Sequence, residues 1–300
     1  MKSSLAEMLT EVHECTSYHV PLTDLRRLPV SASAPYIREA QSVPKALRYV
    51  LAVCAVCLRA YCEGCGKEIK ETRAGCAWFG TALNCCEKVG LRGLLNILSD
   101  LDVEAEEAPG GIPSSAGALL QLINDHFINE RVVCYTAVLV SVVRASKLFE
   151  LIDDVIMDIQ LVTLPVDPAR WMVYLQTARL LWTFMCQSEL RRYITQYPYC
   201  DIPIFQHQHG ARAWIEEGCE VEWSTNPLFV NVNARFRALR KTMDKWEKLL
   251  GSSPEQDVYM APTIRFFKLV LRASRSYRIQ YGQGRRMVWA KSRKQNVGDL

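Results

Sequence analysis

Along most of this chain apolar side chains recur every three or four residues, the spacing that lays them on one face of an α-helix. Leu5, Met8, Leu9 and Val12 predict a first helix, opened by Ser3 or Ser4 and ending near Cys15. From Lys45 the positions Leu47, Val50, Leu51, Cys54, Leu58 and Tyr61 share a face, predicting a second helix that stops before Gly64 and Gly66. Shorter helices are expected over about Cys76–Lys88 and Leu91–Leu101, separated by Gly90. Ser114 or Ser115 opens a longer helical region through Leu119, Leu120, Leu122, Ile123 and Phe127 that continues, with one break, to Leu161. Pro165 and Pro168 divide it from a helix over Ala169–Gln196, whose buried face includes Met172, Leu175, Leu180 and Phe184. An amphipathic helix over Ala234–Leu250 is stopped by Gly251. Ser252 or Ser253 then starts the last helix, which is reset at Pro262 and runs to about Tyr281.

The polar positions punctuate this pattern. Pro21, Pro29, Pro35 and Pro44 make residues Thr16–Pro44 an extended connection, because each proline fixes φ and removes an amide donor. Residues Tyr197–Val232 are irregular, with one short hairpin around Cys219 to Trp223. Asp100, Asp102, Glu104, Glu106 and Glu107 crowd before Pro109, Gly110, Gly111 and Pro113, a self-repelling stretch that reads as a solvated linker. The expected fold is therefore all-α: a multi-helix globular protein with Pro/Gly-rich connections. Its expected regions are a cysteine-rich helical part over 1–103, the linker over 104–115, and a helical domain with a basic tail over 116–300. Neither an internal repeat nor a sustained heptad is visible.

Composition narrows the class. Apolar residues make up 49% of the 300 positions, enough for a buried core. The first fifteen residues mix Glu7, Glu11, His13 and Glu14 among apolar positions, unlike an export signal. The longest apolar runs, Tyr49–Leu58 and Val132–Val143, are too short to cross a hydrocarbon layer of roughly 30 Å as helices. Twelve cysteines scattered through apolar sequence read as reduced thiols, which suits the cytoplasm or nucleus.

The formal charge of +4 hides an asymmetry. Ten Lys or Arg and no Asp or Glu lie between Val258 and Gly298, against 26 basic and 32 acidic groups elsewhere. Arg265, Lys268, Arg272 and Arg275 fall on one helical face and would meet phosphates as a stripe. Arg278, Arg285, Arg286, Lys291, Arg293 and Lys294 follow, interleaved with Tyr277, Tyr281 and Trp289, which can stack on unpaired bases.

Three further sets of residues carry candidate chemistry. Cys62-Glu63-Gly64-Cys65-Gly66 has the form of a zinc knuckle, two thiolates on a tight turn. Cys76 with Cys85 or Cys86 supplies the second pair, as could Cys54 with Cys57; the expected ligand set is Cys62, Cys65, Cys76 and Cys85, with packing of small apolar thiols the competing explanation. Arg73 to Gly80, with Cys76 ahead of Trp78, resembles the nucleophile segment of papain-like and viral leader peptidases. That resemblance covers a handful of residues, implies a general base among His126, His207 and His209, and lacks the strand-rich half such enzymes carry. Asp153, Asp154 and Asp158 could face a hard cation but have the spacing of a solvated helix face. Phosphate-binding loops, dinucleotide fingerprints and the zinc-peptidase and serine-hydrolase signatures are absent from the sequence. Trp171, Trp182, Trp214, Trp223 and Trp246 occur singly, as core or interface anchors do.

The expected function is non-enzymatic: binding of RNA or DNA, in the general character of a viral nucleocapsid, matrix or accessory protein, with helical surfaces for self-association. The alternatives are a scaffold whose basic end meets acidic proteins or an anionic membrane surface, and a cysteine peptidase using Cys76.

Overall fold

The computed structural model describes residues 11–27, 45–69, 84–86, 88–108, 111–127, 142–143, 145–162, 167–187, 190–191, 232–251 and 257–275. These are mostly helical, broadly as the all-α expectation has it, with one small three-stranded antiparallel sheet besides. The chain divides into two units, Met1–Asp154 with Pro203–Asn226, and Val155–Ile202 with Pro227–Leu300.

In the first unit, β1 (Thr23–Asp24), β2 (Leu51–Val53) and β3 (Ala60–Cys62) pair antiparallel in that order, with Thr23 opposite Val53 and Ala52 opposite Tyr61. The predicted helix from Lys45 is instead a 3-10 turn over Lys45–Tyr49 followed by β2 and β3. Every residue of β2 is buried. A strand covered on both faces shows a continuous apolar run, and over so few residues such a run also satisfies the helical spacing. Residues 11–15 likewise form no helix: Glu14 bridges Pro21, and the chain reverses between them.

Helix α1 (Lys88–Glu107) joins what the sequence divides, since Gly90 is buried within it. Leu91, Leu94, Leu95, Leu98 and Leu101 hold its apolar face. The acidic residues from Asp100 to Glu107 occupy its last two turns, and Asp100, Asp102 and Glu106 find partners there. Asp102, 2% exposed, accepts the Lys147 N–H at 2.6 Å, and Glu106 pairs with Lys147 Nζ at 3.0 Å. Those partners offset the mutual repulsion that would otherwise open the helix end. Helix α2 (Ala116–Leu122) runs into a π-helical turn over Ile123–Phe127. Helix α3 (Leu148–Leu161) passes from the first unit into the second at Asp154.

In the second unit, α4 (Pro168–Cys186) starts as the sequence predicts: Pro168 opens it, and Asp167 caps it by accepting the Ala169 N–H at 2.9 Å. Leu180 and Phe184 are buried, while Met172 and Leu175 are half-buried. Helix α5 (Val232–Glu247) brings Trp246 against Trp171 and Tyr174, with ring centroids 5.0 and 6.0 Å apart. Residues 257–275 form α6, which buries Met260, Ile264, Phe267, Val270 and Leu271. It continues through Pro262 instead of restarting there, and the Thr263 hydroxyl donates to the Tyr259 carbonyl at 2.7 Å. The predicted hairpin at Cys219 to Trp223 lies outside the described residues. Among the described residues no helix is long and apolar enough to cross a membrane.

Candidate metal centre

Strand β3 ends at Cys62, and the chain turns back on itself immediately. The Cys62 N–H donates to the Lys67 carbonyl at 2.9 Å and the Gly66 N–H to the Cys62 carbonyl at 2.8 Å. Gly66 sits at φ +67°, the left-handed conformation that glycine adopts most readily. This turn points the Gly64 N–H at the Cys62 sulfur, 3.3 Å away, and swings Cys65 to the same side. The sequence reading of Cys62 and Cys65 as a pair on a tight turn is what the backbone delivers.

The partners come from the residues just ahead of α1. Cys86 Sγ lies 3.7 Å from Cys62 Sγ, and Cys85 Sγ lies 3.8 Å from Cys65 Sγ. The sulfurs of Cys62, Cys65 and Cys85 are all within 4.8 Å of one another. Disulfide sulfurs would sit at about 2.0 Å, and all four thiols are free. A Zn–S bond of about 2.3 Å puts the corners of a tetrahedron roughly 3.8 Å apart. Cys62, Cys65 and Cys85 therefore have the donor chemistry and spacing for one zinc-sized ion, with Cys86 beside Cys62 but outside that mutually close set. Zinc bound there would tie the knuckle to the segment just ahead of α1 through three thiolates, with Cys86 the next sulfur to hand.

Two local features bring the elements this close. A Cβ on Gly64 would stand 2.7 Å from Cys86 Sγ and 2.8 Å from the Val89 nitrogen, so only glycine permits the approach. Donation from the Cys62 thiol, together with the Cys65 thiol and the Lys88 and Val89 N–H groups at the helix start, outweighs burial and holds the Cys86 thiol down at about 6. The opposite end of that hydrogen bond raises Cys62 well above the ordinary thiol range, with burial adding to the shift. The hydrogen bond between Cys62 and Cys86 thus favours the thiolate on Cys86 and the thiol on Cys62.

Behind the sulfurs lies a buried polar network. Glu63, inside the knuckle, accepts from Asn96 Nδ2 of α1, which also donates to the Tyr49 carbonyl at 3.0 Å. Arg26 Nη1 reaches the Asn96 carbonyl at 2.9 Å and Asp100 at 2.8 Å, while its Nε grips Asp24. Burial pushes the Glu63 carboxyl up, and neighbouring Asp24 adds to the rise against the opposing pull of Arg92 and Arg26. Knuckle, 3-10 turns and helix are tied at one point.

Of the four cysteines expected as ligands, the structure brings Cys62, Cys65 and Cys85 together; Cys76 lies outside the described residues, and Cys86 stands beside Cys62 as the nearest further sulfur. The adjacent Cys85-Cys86 pair just ahead of an apolar helical run was the available signal for it.

The other predicted residues are distributed as follows. On α6, Arg265, Arg272 and Arg275 are exposed on one side. Lys268 in the same stripe pairs with Asp244 of α5 at 3.4 Å and also with Glu247, and these carboxylates raise its pKa. Arg278, Arg285, Arg286, Trp289, Lys291, Arg293 and Lys294 lie outside the described residues, as do His207 and His209; His126 falls in the π-helical turn. Asp158 is engaged by Arg170 at 3.0 Å and by the Tyr174 hydroxyl. Comparison with known protein families, curated proteins and solved structures returns no match.

Proposed function

We propose that this chain is a non-enzymatic binding protein with two separate working parts. Zinc on Cys62, Cys65, Cys85 and Cys86 holds the N-terminal unit in shape. The arginine face of α6, continued by the cations from Arg278 to Lys294, binds the phosphates of RNA or DNA. Cys62, Cys65 and Cys85 are already gathered, and Cys86, 3.7 Å from Cys62, supplies the fourth thiolate by closing on the ion; four sulfurs leave no position for a reacting ligand, the arrangement of structural rather than catalytic zinc. The observation that carries the phosphate reading is the exposure of Arg265, Arg272 and Arg275 on the side of α6 away from buried Phe267 and Val270. Lys268 is directed to Asp244 and Glu247, so it contributes least.

The pairing of Lys268 with carboxylates also supports a second reading, in which the same face docks an acidic protein. One experiment separates them. Binding of a labelled single-stranded RNA to the full chain is followed by anisotropy as salt is raised. Phosphate binding gives a steep log-log slope, each lost contact reducing it by about 0.7. Replacing Arg265, Arg272 and Arg275 together by Ala lowers the slope by about 2, whereas Lys268→Ala changes it little. RNA binding that is absent, or insensitive to both salt and the triple replacement, sinks the nucleic-acid reading and leaves the acidic-protein one.

A further inference from the structure

Among the described residues, the turn that carries Cys62 occurs three times. In each, a cysteine N–H donates to the carbonyl five residues on, the residue four ahead donates back to the cysteine carbonyl, and that fourth residue has positive φ. For Cys62 the pair is Lys67 and Gly66. For Cys54, the N–H reaches the Arg59 carbonyl at 3.1 Å, and Leu58, at φ +61°, donates back at 2.9 Å. For Cys15, the N–H reaches the Val20 carbonyl at 2.8 Å, and His19, at φ +50°, donates back at 2.8 Å. The sulfurs are treated alike as well: Val56 and Cys57 N–H groups lie 3.4 Å from Cys54 Sγ, and those of Ser17 and Tyr18 donate to Cys15.

The second and third copies of this turn converge. Cys15 Sγ is 3.7 Å from Cys57 Sγ, the same tetrahedral edge as in the four-sulfur set, and Cys54 Sγ is within 4.8 Å of both. Cys15 and Cys54 are buried against Tyr61, whose hydroxyl lies 3.2 Å from Cys15 Sγ, with Val20 and Leu22 packed alongside; Cys57 is half-buried. A thiol packed only as a small hydrophobe needs neither three N–H-rich turns nor a sulfur edge of this length. Leu58 and His19 are also the non-glycine residues at positive φ among those described. Such backbone persists where surroundings over-determine it.

We propose that Cys15, Cys54 and Cys57 form a second metal centre, binding a thiophilic divalent ion such as zinc through three thiolates, with water entering the fourth position from the half-buried Cys57 side. On binding, the three sulfurs give up their protons to solvent as three metal–sulfur bonds form, and the hydrated ion sheds all but one of its waters. The centre shares no ligand with the Cys62 set and does not depend on the C-terminal cations.

The test is zinc content per chain of the untagged full-length protein, by elemental analysis and native mass spectrometry. Two zinc ions are expected in the wild type, falling to one in Cys54→Ala and to one in Cys62→Ala. Should the variants fold poorly, the wild type still decides: zinc-edge X-ray absorption should show a mostly sulfur shell averaged with one light-atom ligand. A wild type saturating at one zinc, or a Cys54→Ala chain keeping the wild-type count, overturns the second centre. Loss of metal in Cys62→Ala alone would do so while leaving the four-sulfur reading intact.

Discussion

Leu58 stands with its side chain 46% exposed on a backbone that L-residues other than glycine avoid. Its Cβ crowds the following carbonyl, a penalty of about 1–2 kcal/mol in the left-handed region. Leu58→Gly removes that penalty and gives up little packing, while making the unfolded chain more flexible by about 0.4–1 kcal/mol. A net gain of roughly 0.5–1 kcal/mol is expected from denaturant titration; a lower midpoint would mean that the leucine side chain anchors the turn. Glycine also explains what could be read at this scale. Gly66 marked the Cys62 turn in the sequence, whereas leucine and histidine occupy the equivalent places after Cys54 and Cys15, so those two turns carried no visible punctuation. That is also why no repeat was visible: what recurs is a hydrogen-bond pattern on a cysteine, written in unrelated side chains.

Among the elements, α1 follows directly on Cys85 and Cys86, and its Asn96 fastens it to the knuckle and the Lys45–Tyr49 turn. Its amide nitrogen serves both the Tyr49 carbonyl and Glu63, and its oxygen accepts from Arg26 at 3.1 Å. Asn96→Ala leaves buried polar groups on two other elements without this partner. The expected cost is about 2–3 kcal/mol, read by thermal or chemical unfolding; a loss under about 0.5 kcal/mol would show that the remaining contacts or water satisfy them. The helices themselves were largely legible, because α5 shows an amphipathic period and α4 is marked by Pro168 at its start and a long apolar run. The sheet was not, since its strands are three residues or fewer and β2 is buried throughout. Acidic residues at the end of α1 were misread for a different reason: their cations, Arg26 and Lys147, are distant in sequence.

For the whole molecule, the described cysteines gather into two sets that could each hold a metal ion, Cys62 with Cys65 and Cys85, and Cys15 with Cys54 and Cys57, a grouping the sequence did not display. Sequence spacing offered core packing and metal binding as competing fates for the same thiols, and the choice depends on where α1 begins relative to β3. The two-residue knuckle was readable, but its pairing with Cys86 required the fold. Because the ligands must lose protons to bind, zinc should leave as pH falls, and chelation should loosen the first unit more than the second. The most direct measurement is the zinc content of the untagged full chain, wild type beside Cys86→Ala, both purified without added chelator. The account predicts at least one tightly held zinc per wild-type chain and one fewer in the variant. A substoichiometric trace in the wild type, or an unchanged complement in Cys86→Ala, contradicts it.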